Sequence, residues 1–178
     1  MEKLIIQGGQ PLQGRVRVSS AKNAVLPIIA ATMLASTPSS LLEIPKLADV
    51  FTICKVIEAL GVKVNFQDST EEITFDASEL TAIEAPDELV RKMRASFLVM
   101  GPLLARKGEA KIFMPGGCAI GARPIDLHLK AFEALGVEIE MTDDYVHAKA
   151  PNGLKGAQIY LDFPSVGATE NVVMAACM

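Results

Sequence analysis

The sequence predicts a mixed α/β (α+β) fold assembled from repeated units, and three observations carry that expectation. Glu58-Ala59-Leu60-Gly61-Val62-Lys63-Val64 returns 75 positions later, at 133 instead of 58, as Glu133-Ala134-Leu135-Gly136-Val137-Glu138-Ile139. Each copy closes a stretch of helical apolar spacing and opens a pair of short strand-like runs. Half of the 178 residues are apolar, 5% are aromatic and 21% are charged, a balance that supports a packed core.

Taken in order, residues 15–18 read as strand-like, and a helix rich in small residues begins near Ser20, with a serine available as its N-cap. Val50, Ile53, Val56, Ile57 and Leu60 recur at helical spacing and stop at Gly61, which suits a left-handed C-terminal cap. Residues 62–66 and 73–75 form a strand pair across a polar turn. A second small-residue helix starts near Arg94, and residues 111–114 read as a strand. Phe132 and Leu135 end the next helix before Gly136, followed by strands at 137–141 and 145–148. A third small-residue helix begins at Gly167, so about two and a half units are expected. The apolar helical run 171–178 carries no terminator, which reads as a chain cut within an element.

A net charge of −4 and a pI near 5.2 argue against general attraction to nucleic acid or to an anionic membrane, so any anionic ligand must be held by a specific pocket. Cys54, Cys118 and Cys177 lie far apart and are odd in number, so the sequence suggests neither a disulfide framework nor a zinc site. The start of the chain lacks the pattern of a secretory signal, and no run approaches a membrane span of roughly 18 to 20 apolar residues. These features read as reduced and cytoplasmic.

Pro115-Gly116-Gly117-Cys118-Ala119-Ile120-Gly121-Ala122-Arg123-Pro124 gathers three glycines, a thiol and a guanidinium between a strand and a helix. Such a loop has few side chains to pin it and suits a cover over a ligand. An ordinary thiol titrates near 8.5, and a cation such as Arg123 favours its thiolate. A free cysteine is otherwise a small buried apolar residue, the reading that fits Cys54 and Cys177. Pro124 and Asp126 mark a helix start, where free N–H groups beside Arg123 suit an anion, although a capped surface helix looks the same. Asp126 and His128, taken singly, read as capping or solvent-facing. Lys22 and Asn23 fit a solvated first turn, and Arg94 a basic surface cluster with Arg91 and Lys92.

Four blocks taken together, SSAKNAVLP at 19–27, KMRASFLVMGPLLAR at 92–106, PGGCAIGARPIDLH at 115–128 and LKGAQIYLDFPSVGAT at 154–169, resemble the UDP-N-acetylglucosamine enolpyruvyl transferases. The resemblance runs along the whole chain. It implies an inside-out α/β barrel of helix-strand-helix-strand-strand units, and transfer of the enolpyruvyl group of phosphoenolpyruvate to the 3′-hydroxyl of UDP-N-acetylglucosamine. That reaction opens peptidoglycan synthesis and uses no metal or organic cofactor.

The same resemblance implies that Cys118 is the general acid and the thiol alkylated by fosfomycin, and that Lys22 and Arg123 hold phosphate. It gives Asn23 a part in positioning phosphoenolpyruvate, Arg94 a contact near the sugar diphosphate, and Arg123, Pro124, Ile125, Asp126, Leu127, Ser165, Val166 and Gly167 contacts with the UDP-sugar. Phe163 stands where some members carry a lysine, which replaces a cation with a stacking surface. Residues 1–20 are expected to pack with a second domain outside this chain, and residues 21–178 to form an incomplete first catalytic domain that is inactive alone. Two other readings stand beside this one: a non-catalytic UDP-sugar-binding module, and the sister 3-phosphoshikimate 1-carboxyvinyltransferases, which resemble this chain less around the cysteine loop.

Overall fold

The computed structural model describes residues 3–9, 11–67, 72–114 and 125–178. The first unit runs α1 (Lys22–Ala31), a short 3₁₀ turn (Thr32–Leu34), β1 (Ser39–Leu41), α2 (Ala48–Ala59), β2 (Lys63–Gln67) and β3 (Glu72–Asp76). The one-turn helix α3 (Asp87–Val90) leads to the second unit. That unit contains a 3₁₀ helix (Arg94–Val99) continuing into α4 (Met100–Lys107), then β4 (Glu109–Phe113), α5 (Asp126–Ala134), β5 (Glu138–Met141) and β6 (Tyr145–Lys149). Helix α6 (Val166–Ala176) begins a third.

The two sheets have the same design. In each, the last strand lies between the other two and runs antiparallel to both, giving the orders β1-β3-β2 and β4-β6-β5. Ser39 faces Phe75, which also faces Val64; Ala110 faces Ala148, which also faces Ile139. Alternation along the central strands sends Ile73 and Phe75, then Val146 and Ala148, into the core. Helix α2 supplies Val50, Ile53, Cys54 and Ile57 at helical spacing and its C-cap supplies Leu60, all buried. One continuous core joins the two units, and each fully buried Phe or Ile in it contributes about 2 to 3 kcal/mol.

Both helix ends close by one device. At Gly61 (φ 106°) its N–H donates to Glu58 O (3.0 Å) and the Val62 N–H to Ile57 O (3.1 Å). At Gly136 (φ 87°) its N–H donates to Glu133 O (2.9 Å) and the Val137 N–H to Phe132 O (3.1 Å). This is the paired 5→2 and 6→1 bonding of a left-handed cap. The next segment then docks on the freed carbonyl in each unit, Thr81 N–H on Leu60 O (3.0 Å) and Lys155 N–H on Leu135 O (2.8 Å).

Two ties join the units. The Arg106 guanidinium donates to Met33 O (3.0 Å) and Ala35 O (2.9 Å) at the turn after α1 and to Ala77 O (2.8 Å) and Ser78 O (3.3 Å) just after β3, which answers four carbonyls of the first unit. The Lys111 N–H donates to Ile83 O (2.8 Å), and its ammonium pairs with Glu84 (3.1 Å).

Some expectations need correction. Ser20 does not cap α1: the cap position is Ala21, without a side-chain bond, because the Ser20 hydroxyl donates to Glu43 O (2.7 Å). Residues 15–18 form no strand; Val16 and Val18 are exposed and pair with nothing among the described residues. Cys177 is exposed at the end of α6, whereas Cys54 is buried as expected and its thiol is pushed up to about 12 by burial and, secondarily, by Glu58. His128 is buried rather than solvent-facing. Strand β1 and helix α3 have sequences too short to show a period.

Candidate functional site

The repeat gathers helix starts on one side of the molecule. Around a concavity of about 690 Å³ stand Lys22 and Asn23 at the start of α1, Asp49 in the first turn of α2, and Arg94 opening its 3₁₀ helix. Ile125, Leu127 and His128 come from the start of α5, and Ser165, Val166 and Gly167 from the start of α6. The first turns of these helices and their positive dipole ends converge there, so the geometry favours an anion. Pro27, which also lines the wall, cannot donate to the Asn23 carbonyl one turn back.

The concavity therefore collects Lys22, Asn23, Arg94, Ile125, Leu127, Ser165, Val166 and Gly167 from the expected site. Asp126 is exposed in the first turn of α5 and is not part of the lining. Cys118, Arg123 and Pro124 lie outside the described residues, as does the rest of 115–124. Phe163 lines the wall beside Pro164.

Charge in the concavity is mixed. Lys22 Nζ donates to Asp49 Oδ2 at 2.7 Å, with both side chains partly exposed, so an incoming anion competes with Asp49 for this cation. Glu170 also lines the space, and burial pushes its carboxyl up. Among the described residues no group of three or more His, Cys, Asp or Glu side chains is placed to hold a metal.

A buried polar relay, not expected from the sequence, backs the wall. Asn171 is fully buried in α6: its Oδ1 accepts from the Gly101 N–H (2.8 Å), and its Nδ2 donates to Phe97 O (3.0 Å) and to His128 Nδ1 (3.1 Å). A Cβ at Gly101 would lie 2.3 Å from Asn171 O, so only glycine lets α4 approach α6 this closely. Phe97 packs edge-on to the imidazole (5.2 Å between centres, 90°). Burial, with a smaller contribution from Arg94, lowers the His128 pKa to about 4, so the ring is neutral at neutral pH and acts as a hydrogen-bonding group. The sequence did hold a signal for it: Ile125, His128, Phe132 and Leu135 share one helical stripe, so His128 sits on the face that α5 buries.

Comparison with solved structures bears on the fold. The fold matches the enolpyruvyl transferase NikO from Streptomyces tendae with a TM-score of 0.72 at 23% identity, over 94% of this chain and 39% of that one. It also matches EPSP synthase from Acinetobacter baumannii with a TM-score of 0.68 at 18% identity, over 91% of this chain and 37% of that one. The architecture is that of the enolpyruvyl transferases.

The profile of the family described as EPSP synthase (3-phosphoshikimate 1-carboxyvinyltransferase) matches residues 6–178, and the chain belongs to that family. Within it, the chain is 59% identical over its full length to UDP-N-acetylglucosamine 1-carboxyvinyltransferase 2 of Carboxydothermus hydrogenoformans, covering 42% of that protein. It is 56% identical to UDP-N-acetylglucosamine 1-carboxyvinyltransferase 1 of Halalkalibacterium halodurans, covering 40%. The chain thus spans about two fifths of the length of these curated relatives.

Proposed function

We propose that this chain is the front part of an enzyme that transfers the enolpyruvyl group of phosphoenolpyruvate to the 3′-hydroxyl of UDP-N-acetylglucosamine, releasing phosphate, in peptidoglycan synthesis in the cytoplasm. The observation that carries the reading is the convergence of Lys22, Asn23, Arg94 and Ser165 to Gly167, distant in sequence, on one concavity of helix starts in a chain 59% identical to an enzyme of that name.

In this reading the sugar hydroxyl gives up its proton to a base of the second domain as its oxygen bonds to C2 of phosphoenolpyruvate, while the Cys118 thiol delivers a proton to C3; C3 then loses a proton as the C2–O bond to phosphate breaks and phosphate leaves. Lys22 and Arg123 balance the phosphate charge, Asn23 orients phosphoenolpyruvate, and Arg94 meets the substrates near the diphosphate. Arg123, Pro124, Ile125, Asp126 and Leu127 with Ser165, Val166 and Gly167 hold the UDP-sugar, and Cys118 is the target of fosfomycin. Residues 1–20 pack with a second domain that completes the cleft. In support, Leu4, Ile5, Ile6, Leu12, Val16 and Val18 are between 81% and 96% exposed, which is apolar surface that favours a partner.

The test is phosphate release by the full-length polypeptide. Release that needs both phosphoenolpyruvate and UDP-N-acetylglucosamine, and that falls at least roughly a hundredfold in Cys118→Ser, is the expected result. Release with shikimate 3-phosphate in place of the nucleotide sugar overturns the substrate assignment and supports the sister reading that the family description raises. Tight nucleotide binding with no turnover leaves the binding-module reading.

A further inference from the structure

We propose that His128, held in one tautomer by Asn171, donates from Nε2 to a phosphate oxygen of the nucleotide seated at the first turn of α6. The proposal rests on the reading above for the identity of the ligand, but its geometric basis is independent of that reading.

The first step is the direction of each hydrogen bond. The Gly101 N–H can only donate, so the Asn171 atom it meets at 2.8 Å must be the carbonyl oxygen, and the Asn171 amide cannot be turned the other way. Its nitrogen therefore faces Phe97 O and His128 Nδ1, one hydrogen for each. Nδ1 must accept, and in a neutral imidazole the proton then sits on Nε2. Three backbone and side-chain groups on the 3₁₀ helix, α4 and α6 thus fix the chemical character of a nitrogen on α5.

The second step is where that nitrogen points. His128 is 7% exposed, yet it lines the concavity, and among the described residues Nε2 has no partner. It lies at the start of α6: a Cβ at Gly167 would sit 3.7 Å from Nε2 and 3.6 Å from Cε1, so anything beyond a Cβ there would cover the ring edge. Within that first turn Ser165 Oγ accepts from Ala168 N–H and Ser165 O from Thr169 N–H, while the N–H groups of Val166 and Gly167 have no partner among the described residues. A buried donor and two free amides around one point suit an oxygen that carries negative charge and accepts several hydrogen bonds, which is the chemistry of a phosphate. A neutral ring also adds no charge that the nearby Arg94 would oppose.

The test uses the full-length polypeptide and two variants. His128→Phe keeps the packing but removes the donor; His128→Gln keeps an N–H near the place of Nε2. Expected is a roughly ten- to hundredfold loss of affinity for UDP-N-acetylglucosamine and for UDP in His128→Phe, most of it recovered in His128→Gln, with phosphoenolpyruvate binding unchanged. A role confined to packing would instead leave the Phe variant binding like the parent, or lower the affinity for both substrates equally, and either result overturns the proposal. Long-range proton–nitrogen correlation spectra of the parent give a readout that needs no ligand: a proton on Nδ1 overturns it. If the parent itself does not bind the nucleotide sugar, the functional reading fails, and inorganic pyrophosphate titrated against parent and His128→Phe decides the proposal separately. Weaker pyrophosphate binding in the variant supports it; equal binding, or none to either protein, overturns it.

Discussion

The two repeat units solve the same backbone problem in the same way and then fill it differently. Helices α2 and α5 end in the same cap, release the same carbonyl to the next segment, and feed strands into sheets of the same order. Position by position, with an offset of 75, Ile57 corresponds to Phe132 and Leu60 to Leu135, and all are buried. At Ile53, fully buried among apolar side chains, the second unit has His128. A shared position answers to the architecture, and one where a core isoleucine gives way to a histidine with a fixed partner answers to something else.

The sharpest way to break the comparison is to give the first unit the histidine of the second. Ile53→His removes about 2 to 3 kcal/mol of apolar burial and buries ring nitrogens without partners, each costing about 1 to 3 kcal/mol. The expected loss is about 4 kcal/mol or more in denaturant unfolding of the full-length polypeptide. A loss below about 1 kcal/mol would mean that the first unit can hydrate or pair the ring, and that the uniqueness of His128 is accidental.

The caps come next, because they share a conformation but not a setting. A Cβ at Gly61 would meet Thr81 N and Oγ1 at 2.7 Å and Glu79 O at 2.9 Å; at Gly136 the nearest atom is Lys155 Cδ at 3.9 Å. Alanine in the left-handed region costs about 1 kcal/mol at either site, and forced backbone movement adds roughly 1 to 3 at Gly61. Gly61→Ala is expected to cost about 3 kcal/mol and Gly136→Ala about 1, measured by the same unfolding curves. Equal losses would show that the segment around Thr81 yields freely.

This contrast also explains what the sequence could reveal. The glycine caps, the strand pairs and the faces of α2 and α5 were legible because they depend on local periods and on glycines with positive φ, and these elements match within a residue or two, unlike the strand expected at residues 15–18. Ser20 misled because its hydroxyl reaches Glu43, 23 residues away, a pairing that no local pattern encodes. The concavity was legible only through family resemblance: Lys22, Arg94, Ile125 and Ser165 meet because equivalent helix starts converge, and spacing along the chain does not show convergence. His128 was misread from Asp126 and the helix start, although its stripe with Ile125 and Phe132 pointed inward; Asn171, which gives it meaning, lies 43 positions on.

Acid should strain the second unit and spare the first. The ordinary His value of 6.5 falls to about 4 in the fold, through burial first and Arg94 second, so between these values the unfolded chain binds more protons than the folded one. The stabilisation is fully present above 6.5 and is lost as the pH falls towards about 4. A shift of this size corresponds to at most about 3 kcal/mol. Burial also pushes up the carboxyl of Glu170 on the same wall, so the measurement is a difference: stability against pH for parent and for His128→Gln. The variant should show a shallower fall between pH 6.5 and 4, and parallel curves would contradict the buried neutral ring.

The smallest effect separates the outer faces of the same two helices. Lys130 on α5 bonds Asp162 at 2.6 Å, tying the helix to the segment that leads into α6, whereas Lys55, its counterpart on α2, has no acidic partner among the described residues. Both members of the pair are more than half exposed, so solvent screens most of their attraction, and holding two long side chains in register offsets part of the rest. Lys130→Met is expected to cost about 0.5 kcal/mol and Lys55→Met close to nothing. The difference should vanish near 1 M salt, where charges are screened within about 3 Å. A double-mutant cycle with Asp162→Asn isolates the pair from the loss of a lysine stem. A coupling energy well above 1 kcal/mol that survives salt would mean that this contact fixes the approach to α6, and with it Ser165 to Gly167, rather than decorating a surface the core has already positioned.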